Sequence, residues 1–194
     1  MAVVEVVCQG QLVLDMSHPL AALDEITPSP GVVREPHTEV KEYDVEVTTD
    51  PPEILATRCR VFQPMAGPSA TGGQISEYIF RVPHPSCAVL YKTSPGDPSR
   101  MDAIGIFVQA MTQEMIRAHL FVCRVDSSSN TTLLRSFQHR VFGNDKSILE
   151  NQFPRRLPLD MRAETPIRAD KSAISYRRWL SDLGVTYGVI PAAA

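Results

Sequence analysis

The chain has 194 residues, a net charge of -3 at pH 7, a hydrophobic share of 43% and a charged share of 21%. This length allows one domain with a sizeable core, and the mild acidity argues against a nucleic-acid or membrane-surface partner. No apolar run approaches the roughly 20 residues of a membrane span and the amino terminus lacks a basic region, so we expect a cytoplasmic protein without a signal peptide.

The first part of the chain, residues 1–37, combines short apolar runs with an irregular stretch. Residues 3–8 and 11–14 are apolar, which is typical of a strand or of the approach to a helix. Residues 19–37 are rich in Pro, Ser and Glu and indicate an irregular crossing.

Segments with strand character follow one another through residues 38–126. Tyr43, Val45 and Val47 alternate with polar residues, which indicates a half-buried strand. The composition of residues 64–74 predicts a loop. Strands joined by short turns favour an antiparallel sheet over alternating βαβ units. The predicted strands are 38–48, 55–63, 76–82, 87–92, 103–111 and 117–125.

From residue 131 the apolar period becomes that of a helix. Thr131 or Thr132 is the expected N-cap, and Pro154 is expected to end the helix. The predicted apolar stripe consists of Leu133, Leu134, Phe137, Val141, Phe142, Ile148 and Leu149.

A second helix is predicted from its N-cap Asp170 to Leu183, with Gly184 at the position that follows a helix end. Its predicted apolar face consists of Ala173, Tyr176, Leu180 and Leu183. The pattern as a whole predicts an α+β fold in which a curved antiparallel sheet packs on a long C-terminal helix.

One carboxylate stands out in the first helix. Asp145 lies between apolar neighbours, and an inward carboxylate is costly unless it is paired or bound to a cation. The alternative interpretation is a solvent-facing Asp beside Lys146. The run Asn144-Asp145-Lys146, followed by apolar residues, Glu150 and Gln152, resembles the end of the catalytic domain of Rieske non-haem iron oxygenases, in the vanillate O-demethylase and dicamba monooxygenase branch; Asn144 replaces an acidic residue of that pattern. The resemblance implies that Asp145 is the carboxylate of a 2-His-1-carboxylate triad on iron.

The tail of the chain carries the most specific match. Residues 157–160 (Leu-Pro-Leu-Asp) and 176–180 (Tyr-Arg-Arg-Trp-Leu) resemble the tail of the same oxygenases. The resemblance implies a helix-grip domain, similar to START and Bet v1 domains, over residues 1–194. Its expected parts are a divergent iron-ligand segment and crossing at 1–37, the sheet at 38–126 and C-terminal helices at 131–184.

A second motif lies near the amino terminus. Residues 11–18 (Gln-Leu-Val-Leu-Asp-Met-Ser-His) resemble the DNLxDxSH segment of the family. The resemblance implies that His18 is an iron ligand and that Asp15 links the iron to the Rieske cluster of a neighbouring subunit. Fe(II) accepts imidazole and carboxylate ligands. Without the match at Asp145, His18 beside Pro19 would be interpreted as a turn residue.

The motif departs from the family pattern in two places. The second histidine of the family falls on Leu23, and the asparagine that precedes the bridging Asp falls on Leu12. Asp24 could donate an oxygen instead, or His37 could swing in, although neither has the expected spacing.

The cysteines exclude one cofactor from these residues. A Rieske [2Fe–2S] cluster takes two Cys and two His ligands, in CxH and CxxH motifs. None of Cys8, Cys59, Cys87 and Cys123 is followed by a histidine two or three residues later. We therefore expect no [2Fe–2S] cluster on this stretch of chain.

The resemblance implies a truncated or stand-alone catalytic domain that uses mononuclear Fe(II) and O2 to hydroxylate or O-demethylate an aromatic compound. Its implied partners are a chain with a Rieske cluster and a reductase supplied by NAD(P)H, in a homotrimer. The alternative is a non-catalytic helix-grip module that binds an aromatic or apolar ligand. A degenerate gene fragment is a third reading of the same pattern.

Overall fold

The computed structural model describes the backbone of residues 5–8 and 12–15, and residues 43–63, 73–125, 130–163, 165–166 and 170–192 except for the side chain of Asn144. The assignment of residues 1–194 to one domain stays a prediction. No helix among the described residues is both long enough and apolar enough to span a membrane.

An antiparallel sheet forms the framework. Its order is β1-β8-β7-β6-β5-β4-β3, and β2 also pairs with β8. Each neighbouring pair in this sheet is antiparallel, which confirms the predicted sheet type. The strands are β1 (Glu5–Cys8), β2 (Leu12–Asp15), β3 (Asp44–Thr49), β4 (Pro52–Gln63), β5 (Gln74–His84), β6 (Cys87–Thr93), β7 (Met101–Ala110) and β8 (Met115–Arg124).

A β-bulge interrupts the pairing of β4 with β5 between Ala56 and Cys59. Arg58 inside the bulge has φ 59°, a left-handed conformation that non-glycine residues rarely adopt. Its guanidinium lies 2.6 Å from a carboxylate oxygen of Asp44 on β3. Because the bulge adds one residue, Ala56 and Cys59 point to the same face of the sheet although they are three positions apart.

That face carries both long helices. The helix α1 (Thr131–Glu150) packs through Phe142 on Ala118 and Leu120 of β8. The helix α2 (Lys171–Asp182) contacts β3 and β4 at the other end of the sheet. The register places these contacts on one face, because a row of Cα partners joins the two ends through Ala56, Phe80, Leu90, Ile104 and Val122.

The start and the buried face of α1 differ from the sequence prediction. Asn130, not Thr131 or Thr132, is the N-cap, and its side chain accepts a hydrogen bond from the backbone N–H of Leu133 at 2.9 Å. The helix ends at Glu150, before Pro154. Leu134, Gln138 and Phe142 are buried at intervals of four residues, whereas Leu133, Val141 and Ile148 are exposed. Each of these three directly precedes an inward position, so it lies about 100° away around the helix and faces solvent.

The ends of α2 agree with the prediction. Asp170 is the N-cap, and Gly184 after the helix has φ 68°. Leu183 was expected on the apolar face but is 49% exposed, because the helix buries Trp179 and Leu180 instead. Leu180 packs on Leu159 and Val189, which flank or form the short parallel ladder of β9 (Leu157–Pro158) and β10 (Val189–Ile190).

Candidate functional site

Asp145 lies on the inward stripe of α1 by its helical position. It follows the buried Phe142 by three residues and precedes the partly buried Leu149 by four, which are the spacings of one helix face. Its side chain is nevertheless exposed, so the predicted inward burial of this carboxylate is wrong. The exposure of a side chain depends on what packs over the helix. Phe142 and Leu149 pack in the described core cluster, whereas Asp145 between them does not.

The neighbouring charges do not engage Asp145. Lys146, which the alternative interpretation placed beside it, forms an ion pair with Glu150 one turn along the helix. The Asp145 carboxylate makes no hydrogen bond or ion pair with the part of the chain that the structure describes. It is therefore available to an external cation.

The other predicted ligands are described only in part. Asp15 is the last residue of β2 and is the register partner of Met115, while its side chain lies outside the described structure. His18 and the positions Leu23, Asp24 and His37 also lie outside the described residues. The helix α1 contacts β1 and β2, so the strand that ends at Asp15 lies beside the helix that carries Asp145.

No group of three or more His, Cys, Asp or Glu side chains that could hold a metal occurs within the described ranges. A metal site that includes Asp145 would need further ligands from outside the described residues.

An apolar cavity of about 420 Å³ lies between α2 and strands β4 and β5. The aromatic side chains in its wall are Tyr43, Tyr78, Phe80 and Tyr176. Burial raises the pKa of Tyr78 to about 12, so its hydroxyl stays protonated at neutral pH. The helix-grip resemblance implied a ligand-binding cavity, but the sequence did not identify its lining residues, because they come from segments that are distant in the chain.

The same face of the sheet buries a cluster of charges. Lys92, Asp102 and Arg124 are at most 6% exposed. Arg124 Nε lies 3.4 Å from an Asp102 carboxylate oxygen, and the other Asp102 oxygen accepts the N–H of Val125 at 2.9 Å. The Lys92 amine donates to Gln63 Oε1 at 3.4 Å. The hydrogen bonding of this cluster is incomplete, because the buried Oδ2 of Asp102 accepts no hydrogen bond from the described residues.

Burial, together with the nearby Arg124 charge, lowers the pKa of Lys92 to about 8, and Asp102 partly opposes this effect. Sequence reasoning missed the cluster, although a signal exists. Lys92 continues the inward alternation of Ala88 and Leu90, where an apolar residue would be expected.

A wider groove of about 560 Å³ lies beside the β7–β8 turn, next to β9 and β10. Arg156 donates from Nη1 to Gln113 Oε1 at 3.0 Å, and Arg177 donates from Nε to the carbonyl oxygen of Pro158 at 3.0 Å. These bonds tie the tail of the chain to the hairpin and to α2. The arginines named here thus serve packing of the tail.

Comparison with known proteins adds sequence relatives. The chain is 46% identical over 154 residues to the probable methylxanthine N7-demethylase NdmC of Pseudomonas sp. (strain TJI-51), which covers 79% of this chain and 55% of that protein. It is 38% identical over 64 residues to the methylxanthine N1-demethylase NdmA of Pseudomonas putida, covering 33% of this chain and 17% of that protein. The chain thus spans about half the length of the first of these relatives.

Solved structures support the fold. NdmA of Pseudomonas putida CBB5 superposes with a TM-score of 0.64 at 19% identity, covering 93% of this chain and 50% of that one. NdmB of the same strain gives a TM-score of 0.62 at 16% identity, covering 92% and 50%. At these identities the likeness concerns the fold alone, and it agrees with the predicted α+β, helix-grip-like architecture.

The family model for the vanillate O-demethylase oxygenase C-terminal domain matches residues 30–185. This match covers most of the chain and confirms the resemblance that the motifs at Asp145 and in the tail indicated. The chain therefore belongs to the vanillate O-demethylase oxygenase C-terminal domain family, which is the catalytic domain of Rieske oxygenases.

Proposed function

We propose that this chain is the catalytic domain of a Rieske-type oxygenase that removes an N-methyl group from a methylxanthine or a closely related heteroaromatic compound. The observation that carries the proposal is the 46% identity over 154 residues to a protein named as a probable methylxanthine N7-demethylase. The name of the relative favours N-demethylation over the O-demethylation or hydroxylation that the motifs alone suggested.

The donor set of the chain fits Fe(II) in kind. An exposed carboxylate without a described protein partner, that of Asp145, is a suitable anionic oxygen ligand. In the proposal Asp145 and His18 hold the metal, and the position of Leu23 leaves the third protein ligand to Asp24 or His37. Bound Fe(II) supplies the activation of O2 that the reaction needs.

Electrons have to reach this site from elsewhere. Asp15, at the end of a strand beside α1, is proposed to connect the site to a Rieske cluster on a neighbouring subunit. The cysteines of this sequence lack the CxH and CxxH spacing of such a cluster, so the cluster is proposed to come from another polypeptide region or chain. A reductase that uses NAD(P)H and a homotrimeric assembly complete the proposal.

Metal binding gives the first test. Protein prepared without oxygen and loaded with Fe(II) is expected to bind one iron, and Asp145→Asn and His18→Ala are expected to lose it. Glu150→Gln is the matched control, because it changes a carboxylate of the same helix that pairs with Lys146. Iron content, measured after desalting, is the readout. An iron content of Asp145→Asn equal to that of the unmodified chain would contradict the assignment of Asp145 as a ligand.

Turnover gives the second test. With O2, a Rieske-cluster protein and a reductase, oxidative N-demethylation releases one formaldehyde for each N–CH3 group converted to N–H. Formaldehyde release from 7-methylxanthine, which is absent with Asp145→Asn and retained with Glu150→Gln, is the expected result. Stoichiometric iron without formaldehyde from any methylxanthine would contradict the substrate class and leave the metal site intact.

The same samples distinguish an oxygenase domain from the alternative that the sequence left open, a non-catalytic ligand-binding module. A protein that binds a methylxanthine equally well with and without a chelator, and that never retains iron, would be such a module.

A further inference from the structure

The cavity beneath α2 is separate from the position of Asp145. It lies against β4 and β5, whereas α1 packs on β7 and β8. The strand β6 and the spacing of the sheet put about three strand intervals, roughly 14 Å, between the two places. An occupant of this cavity would therefore not contact Asp145.

The backbone shapes the cavity for a flat apolar molecule. The bulge in β4 brings Ala56 and Cys59 to the same wall, and Ala56 and Ala173 leave space where larger side chains would fill it. Phe80 is 39% exposed, so its ring remains accessible. None of the described residues in the wall carries a charge, so an ionic ligand would lose its hydration without compensation.

Tyrosine hydroxyls in the wall differ in their hydrogen bonding. Tyr43 is occupied by Ser172, whose backbone N–H donates to the Tyr43 hydroxyl at 2.9 Å. Tyr176 donates its hydroxyl to the carbonyl oxygen of Pro85 at 2.6 Å. The hydroxyl of Tyr78 makes no hydrogen bond with the described residues; its ring contacts Phe80 edge to face at 5.8 Å. Among the tyrosines of the wall, Tyr78 is thus the one whose hydroxyl has no acceptor within the described part of the chain.

We propose that this cavity is a second ligand site, which takes an uncharged aromatic ring bearing one hydrogen-bond acceptor, and that the Tyr78 hydroxyl donates to that acceptor. The aromatic wall supplies stacking and edge contacts, and a volume of about 420 Å³ falls within the range of small-molecule sites. The proposal does not depend on iron and stands whether or not the chain is an oxygenase.

Binding at this site can be followed by the intrinsic tryptophan fluorescence of the chain. Its single tryptophan, Trp179, is buried in α2, and its ring centroid lies 6.4 Å from that of Tyr176 in the cavity wall. A ligand in the cavity is expected to change the Trp179 emission. Ligand-observed NMR gives an independent measure of the same equilibrium.

The experiment compares two probes of similar size. Acetophenone carries a carbonyl acceptor, whereas ethylbenzene carries none. Saturable binding of both to the full chain is expected, and Tyr78→Phe should weaken acetophenone about 3- to 10-fold while leaving ethylbenzene unchanged, because one hydrogen bond is lost. Tyr187→Phe is the control, since Tyr187 is exposed and lines the other groove.

Two further variants locate the site. Ala173→Phe should fill the cavity and abolish binding of both probes, with circular dichroism used to verify the fold. Asp145→Asn should leave both affinities unchanged. Absence of saturable acetophenone binding, equal affinity in Tyr78→Phe, or loss of binding in Asp145→Asn would each overturn the proposal. A failure to bind iron would overturn only the proposed catalytic function.

Discussion

Lys92 is a costly residue of this fold because it buries an amine among other charges. It is 4% exposed, donates to Gln63 and lies near both Asp102 and Arg124. The depressed pKa, about 8 against an ordinary 10.5, means that the folded protein releases a proton that the unfolded chain still holds between these pH values. The free energy of unfolding therefore falls as the pH decreases from 10.5 to 8, and the penalty below pH 8 is constant at about 3 kcal/mol.

Lys92→Met should remove this penalty. We expect the free energy of unfolding at pH 7 to be higher by about 1–3 kcal/mol than in the unmodified chain. Between pH 8 and pH 10, the free energy of unfolding should increase less in the variant than in the unmodified chain. Urea unfolding across this pH range checks both. Lys171→Met, at an exposed position, should leave the pH dependence as it was. A destabilised Lys92→Met protein with the original pH dependence would show that the ammonium is a stabilising group.

At the scale of elements, two glycines illustrate opposite demands. Gly184 follows α2 with φ 68°, where a Cβ strains the backbone although no atom lies within 4 Å of it. Gly143 lies inside α1, also with open space around the position of a Cβ. The same substitution thus meets a left-handed conformation in one place and a helical one in the other.

Gly184→Ala is expected to lower the free energy of unfolding by about 1 kcal/mol, and Gly143→Ala to raise it by about 0.5–1 kcal/mol. Neither substitution creates a clash, so the difference isolates the backbone term. Parallel urea titrations of the two variants provide the measurement. Changes of the same sign would mean that one of the two conformations is not as described.

An element could be predicted from the sequence when the residues that specify it are close together in the chain. The N-cap Asp170 and the glycine after α2 are local signals, and the ends of α2 were predicted correctly. Alternation around Tyr43 predicted a strand over 38–48; the described strand β3 begins at Asp44 and leaves Val47 exposed. The bulge at Arg58 shifts the strand phase by one residue, which a period-two pattern cannot reveal. The inward face of α1 was predicted too wide, because Leu133, Val141 and Ile148 are apolar yet face solvent.

The candidate site was predictable to the same extent. Helical spacing placed Asp145 on the inward stripe, but its exposure depends on what packs over the helix, which spacing cannot tell. The cavity required the packing of α2 on β4 and β5, whose residues Ala56 and Ala173 are far apart in sequence. Its polar group, Tyr78, looks like any alternating strand residue until its neighbours are known.

In the described part of the chain, the large antiparallel sheet carries α1 near β8 and α2 near β3 and β4. Phe142 joins α1 to β8, and Leu180 joins α2 to the short ladder near the tail. The inward row that runs across β4 to β8 links the strands on which the two helices pack. Because the clusters share a sheet, loss of one should weaken the other.

Phe142→Ala tests this coupling. The substitution should lower the free energy of unfolding by about 3–5 kcal/mol through the cavity it leaves. The unfolding transition of Trp179 fluorescence, which reports on α2, should shift by the same amount as the circular dichroism transition. A fluorescence transition that stays at its original denaturant concentration would mean that the two ends unfold independently.

The edges of the sheet have a consequence for the behaviour of the protein at high concentration. At one edge β1 and β2, with four residues each, share β8 as their partner, so neither presents a long row of free backbone groups. At the other edge β3 exposes Asp44 and Glu46. Short and charged edge strands discourage the addition of a foreign strand, which is how natural β proteins avoid edge-to-edge aggregation. Folded copies of this chain should therefore resist polymerisation through their sheets.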